Sequence, residues 1–166
     1  MGMVVTMVQF SEQKLKEYIA QPQSFENDLP ELESSPADKC CSLDKSWEAI
    51  HFILTGTNIG KGKQPLSMTV YSEQFFDEEQ DLGMGPASYL KPEQVIEISN
   101  LLNEFDRTKV QERYDPIRMD EIGIYPTFWS KNPDGLFEYV FETFSELQSF
   151  FKDASSKRHS IASYIG

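Results

Sequence analysis

Residues 46–60 read SWEAIHFILTGTNIG, and whether this stretch is a buried helix or the lip of an active site decides the rest of the reading. Leu43, Trp47, Ile50 and Leu54 recur at the spacing that lines one face of an α-helix. Ser42 can cap that helix, and Gly56, free to take a positive φ, can end it. On this reading Trp47 fills the interior, the glycine stops the helix, and residues 57–65 form a loop carrying Lys61, Lys63 and Pro65.

Two features of the stretch invite a chemical reading. The loop GTNIGKG has glycines and a lysine, as a phosphate-binding loop does. Its spacing is wrong: only three residues separate Gly56 from Gly60, and Gly62 follows Lys61 where such a loop needs Ser or Thr for magnesium. His51 lies about 40° around the helix from Trp47, at the edge of the apolar face, with Asp44, Glu48 and Thr55 along the same edge. A carboxylate in reach would orient the ring for acid–base work. The simpler reading is a half-buried histidine satisfied by a neighbour, since no nucleophile or metal partner is identifiable.

Outward from this helix the chain alternates strands, helices and irregular loops. Residues 3–8 are apolar and β-branched, a short strand buried on both faces. Ser11 caps a helix over 12–20, with Phe10 and Leu15 as its hydrophobic staple. Residues 21–41 hold Pro22, Pro30 and Pro36 and read as a loop with at most a helical turn near 29–32. LSMTVYS, 66–72, alternates apolar and polar residues as a half-buried strand does. Residues 83–90 read as a turn and a short extended piece. Pro92 opens a helix with Val95, Ile98, Leu102 and Phe105 inward. Asp106 and Asp115 cap two short helices, and Pro126 breaks up IYPTFW, 124–129. Asn132 and Pro133 open the longest helix, to about 153, whose inner face is Phe137, Val140, Phe141, Phe144, Leu147 and Phe151. HSIASYI closes the chain as a strand. The pattern implies an α+β class: one compact domain, 1–166, with a small mixed sheet packed against several helices.

Composition limits the function. The 166 residues are long enough to bury a core without metal or disulfide, and 12 Phe, 7 Tyr and 2 Trp supply large buried areas. The net charge of −12 opposes nucleic acid and anionic lipid, which need clustered Lys and Arg, and suits a basic protein partner. Cys40 and Cys41 are adjacent, a poor geometry for a disulfide. No spaced Cys or His set completes a zinc site, and no cofactor is implied. Two free thiols fit a reducing compartment, so a cytoplasmic location is expected. MGMVVTMVQF lacks a basic leader and is too short to span a membrane. Asp77, Glu78, Glu79 and Asp81 match a calcium loop by charge alone. Tyr125, Pro126 and Trp129 suit a groove lining and a core cap equally. His159, beside Lys157 and Arg158, is the other histidine.

MGMVV, LDKSWEAIHFILTG (43–56), GMGPASYLKPEQV (83–95), IYPTFW (124–129) and LFEYVFETF (136–144), in this order, resemble the bacterial YfbM-like family along essentially the whole chain. The resemblance implies a compact α+β fold in a cytoplasmic protein of unknown function, with no catalytic residues to carry across. Relatives often have histidine after Trp47, where this chain has Glu48, so if relatives use a paired-histidine site, this chain does not complete it. They usually have a capping Thr before Pro92, where this chain has Lys91. Two functional readings follow. The first is a non-enzymatic, protein-binding module with an immunity- or antitoxin-like role. The second is an enzyme or small-ligand binder with a pocket between Trp47, His51, Tyr89, Tyr125 and Trp129, His51 acting as the acid–base group.

Overall fold

The structure is a computed structural model that describes residues 2–36 and 39–166. Its strands are β1 (Val5–Phe10), β2 (Cys40–Asp44), β3 (Ser88–Leu90) and β4 (Ser160–Ile165). Its helices are α1 (Glu12–Ala20), α2 (Pro22–Glu33), α3 (Trp47–Thr55), α4 (Pro92–Leu102), α5 (Arg107–Arg113), α6 (Pro116–Glu121) and α7 (Pro133–Ser156). The class is α+β. The strands lie in the order β2-β1-β4-β3, and every pairing is antiparallel, so the sheet is not mixed as the sequence suggested.

Side chains alternate across a strand, and here the two faces of the sheet feed two apolar clusters. Val5, Met7, Cys41, Leu43, Leu90 and Ile161 join the larger cluster with α3, α4 and α7. Val8, Phe10, Tyr89, Ala162 and Tyr164 join a smaller one with Leu15 and Tyr18 of α1, Phe25 of α2 and Phe76. Phe10 and Leu15, the expected staple pair, both belong to this second cluster.

Most helix ends follow the sequence. The Ser11 hydroxyl accepts from Lys14 N–H, and Asp106 and Asp115 accept from the Lys109 and Arg118 amides at 2.8 and 2.9 Å. Asn132 caps α7 at the Gly135 amide. Lys91 gives α4 no side-chain cap, but Gln94 reaches back to the Lys91 amide at 2.9 Å. Gly56 takes φ 79° and ends α3.

Three expectations are corrected. Residues 22–33 form α2 and not a loop; residues 37 and 38 of the expected loop lie outside the described residues. Pro22 sits in the first turn, where its missing N–H costs nothing, and Phe25, Leu29 and Leu32 make a helical stripe whose burial tolerates Pro30 inside. Ser42 belongs to β2 and not to a helix cap; α3 starts at Trp47, after Ser46. Residues 66–72 are not a strand. A 3₁₀ turn at Leu66–Met68 takes over, with Met68 N–H bonded to Pro65 O, while Val70 is still buried.

Candidate functional site

The five residues singled out from the sequence do not line one cavity. Trp47 is buried, donates from its indole N–H to Met3 O at 3.1 Å, and stacks on Tyr125 at 5.6 Å between centroids. The Tyr125 hydroxyl accepts from Met3 N–H. Glu48, also buried, accepts from the Tyr125 amide at 2.7 Å and the Ile59 amide at 3.2 Å, and so ties α3 to two loops. His51 is sealed at 0% exposure, its Nε2 2.9 Å from Lys61 O. Burial pushes its pKa down, outweighing the Lys61 and Asn58 carbonyls that favour the proton. Trp129 is buried and donates to Ile124 O. Tyr89 stacks on Phe76 in the other cluster, across the sheet. Trp47 and Tyr125 therefore pack on each other, His51 is closed off beneath the 58–62 loop, and Tyr89 lies elsewhere.

A groove of about 740 Å³ lies beside the edge strand β2. One wall is Cys40, Cys41 and Ser42; the other is the α7 surface of Ser145, Glu146, Ser149, Phe150 and Asp153. Its backbone chemistry follows from the register. Gln9 N–H bonds Lys39 O, and Val8, Met7 and Thr6 stand opposite Cys40, Cys41 and Ser42. In an antiparallel ladder, bonded and non-bonded pairs alternate. Cys41 therefore bonds β1, while the N–H and C=O of Cys40 and Ser42 point away from the sheet. Among the described residues no strand pairs with them there.

Both ends of the groove are held. At one end the Tyr139 hydroxyl donates to Asp44 at 2.7 Å and accepts from the Lys45 amide. Burial, then the Asp44 carboxylate, pushes the Tyr139 hydroxyl up to about 12, so it stays protonated. At the other end Asp153 accepts from Gln9 Nε2 at 2.9 Å and Lys157 Nζ at 2.8 Å. A carboxylate only accepts, so it fixes Gln9 Oε1 toward His159 Nδ1, 2.9 Å away. His159 thus carries its proton on Nδ1, and burial, then the Lys157 charge, lowers its pKa. It lines a smaller polar hollow of about 280 Å³ with Lys14, Tyr18 and Asp28.

The floor is apolar. Phe150 is buried, and burial raises both thiols, Cys41 to about 12 with Glu146 adding to it. They offer apolar surface, not a nucleophile. Glu146 is exposed and makes no ion pair among the described residues. Glu142, also exposed, stands one turn before it, a like-charge pair that destabilises a helix slightly. Nothing local in the sequence marks the groove, because it depends on which strand ends up at the edge of the sheet. The alternation of Cys41 and Leu43 with Ser42 and Asp44 was the available sign of a strand.

A family model for a domain of unknown function, DUF1877, matches residues 1–164. The chain belongs to that family. A similar solved structure is that of YfbM from Escherichia coli, a protein of unknown function. It shares 20% identity over 98% of this chain and 99% of that one, with a TM-score of 0.77. At that identity the likeness shows the fold, and it bears out the YfbM-like resemblance. No curated protein matches the chain. In this DUF1877 domain no group of three His, Cys, Asp or Glu among the described residues can hold a metal ion. No helix among them is long and apolar enough to cross a membrane.

Proposed function

We propose that this DUF1877 domain is a non-enzymatic binding module that docks a basic protein partner in the groove between β2 and α7. The observation that supports it most is the edge of β2, unpaired among the described residues, lying beside an apolar, acid-rimmed groove. Proteins usually cover, shorten or charge their sheet edges, because a bare edge pairs with other chains. The charged groups lining this groove are Glu146 and Asp153, with no cation among the lining residues, and the whole chain carries −12. Complementary charge steers encounter and fixes register. An immunity- or antitoxin-like task, in which an acidic domain covers a basic protein, is a use that suits this surface. The enzyme reading has less support: His51, its acid–base candidate, is sealed from solvent, and Tyr89 packs in a different cluster from Trp47.

A photo-crosslinking amino acid placed at Ser149, in the groove, and at Glu12, on α1, tests the reading. The Ser149 probe is expected to trap a protein of net positive charge, and Glu146→Lys to remove the crosslink. Identical products from the two positions, or products indifferent to Glu146→Lys, count against it.

A further inference from the structure

The groove also carries information about the shape and chemistry of what it accepts. The outward groups of β2 come from alternate residues, Cys40 and Ser42, about 7 Å apart along the strand. That is the pattern a single extended segment reads when it joins a sheet edge. The Tyr139–Asp44 clasp closes one end and the Asp153–Lys157 pair the other, so the pairing window is short.

A strand laid there would send every second side chain onto α7. The helix meets it with the short side chains of Ser145 and Ser149 and the ring of Phe150, leaving room for a long residue. Phe150 suits an aliphatic stem, and Glu146, without an ion pair among the described residues, suits a cation at its tip. Lys39 and Lys45 flank the strand and are exposed, so a second cation at either end would meet like charge. The same lysines disfavour a second copy of this chain. Antiparallel self-pairing centred on Ser42 would set Lys39 against Lys45, between two molecules each carrying −12.

Resting on the docking reading above, we infer that β2 takes up an extended segment of a partner protein as an added strand. The segment pairs with Cys40 and Ser42 and lays one central Arg or Lys across Phe150 toward Glu146. Backbone pairing supplies the hold, and the single cation supplies the selection.

The test is a random octapeptide display library panned on the folded full chain, then calorimetry with the enriched peptides made synthetically. Enriched sequences are expected to share one central Arg or Lys. N-methylation of one alternate set of peptide amides should weaken binding at least tenfold, and of the other set less than twofold. Ser42→Pro removes an N–H that faces outward, so it should leave the β1 ladder intact and weaken binding at least tenfold. Should that variant fold poorly by circular dichroism, the methylated peptides still decide the matter. Glu146→Lys should cost at least tenfold. If methylation of neither set matters while Glu146→Lys still weakens binding, strand addition is overturned and the docking reading stands. If no peptide is enriched, or affinity ignores both methylation and Glu146→Lys, both are overturned.

Discussion

The two edges of the sheet are finished in opposite ways. At β3 the outward-facing residue is Tyr89, since Ser88 and Leu90 stand in the bonded pairs opposite Ser163 and Ile161. Its amide donates to Gln74 O at 2.8 Å, and its carbonyl accepts from Ser72 Oγ at 2.7 Å and Gln74 Nε2 at 2.9 Å. Every backbone group on that side is satisfied within the chain. At β2 the corresponding groups of Cys40 and Ser42 face an open groove. The same sheet thus has one edge closed by its own chain and one edge that no strand among the described residues covers.

The largest stability contrast is expected from paired substitutions at the two edges. Ser72→Ala removes a buried hydroxyl that donates to Tyr89 O and accepts from the Gln74 amide, at a cost of about 2 kcal/mol. Ser42→Ala, at the open edge, should stay within about 0.5 kcal/mol of wild type. Urea unfolding measures both, and equal costs would break the comparison.

A smaller effect belongs to His51, whose ring is buried with Nε2 bonded to Lys61 O and Nδ1 without a hydrogen-bond partner among the described residues. Its folded pKa is depressed, so its contribution to stability is complete above the unfolded value of about 6.5 and is lost as pH falls through the folded value. His51→Gln should cost about 1 kcal/mol at pH 8 and flatten the loss of stability below about pH 6.5. A cost that grows on acidification would contradict the buried-neutral assignment.

At the open edge, acid should act first through Asp153. Lys157 beside it holds its carboxyl below the ordinary value, so its stabilising share is present above about pH 4 and lost as pH falls through the lowered value. The bonds that close β3 involve no carboxylate, ammonium or imidazole. As pH falls below about 4, amide protection should fall sooner in β2 and the end of α7 than in β3. The smallest effect is a gain: Glu146→Gln relieves the repulsion with Glu142 and should add a few tenths of a kcal/mol in stability while weakening peptide binding. A loss of stability would mean that Glu146 serves the fold.

Local chemistry was legible and long-range placement was not. Ser11, Asp106, Asp115 and Asn132 act within a few residues of themselves, so their caps could be read directly. The stripes of α4 and α7 are long enough to declare their period. Three prolines hid α2, although Phe25, Leu29 and Leu32 kept helical spacing. In LSMTVYS the alternation was real, but i→i+3 bonds after Pro65 satisfied the backbone without a partner strand. Trp47 fills the interior, as its helical spacing implies, while Tyr89 packs in the other cluster. Whether Tyr89 and Trp47 face each other depends on strand order and sheet face, which spacing does not carry. The bare edge is hidden for the same reason.

Amide hydrogen exchange at single-residue resolution, with and without an enriched basic peptide, tests the central claim most directly. The Cys40 and Ser42 amides are expected to exchange fast in the free protein and to become protected in the complex, with Tyr89 protected in both. Slow exchange at Cys40 and Ser42 in the free protein, or no change on binding, would contradict it.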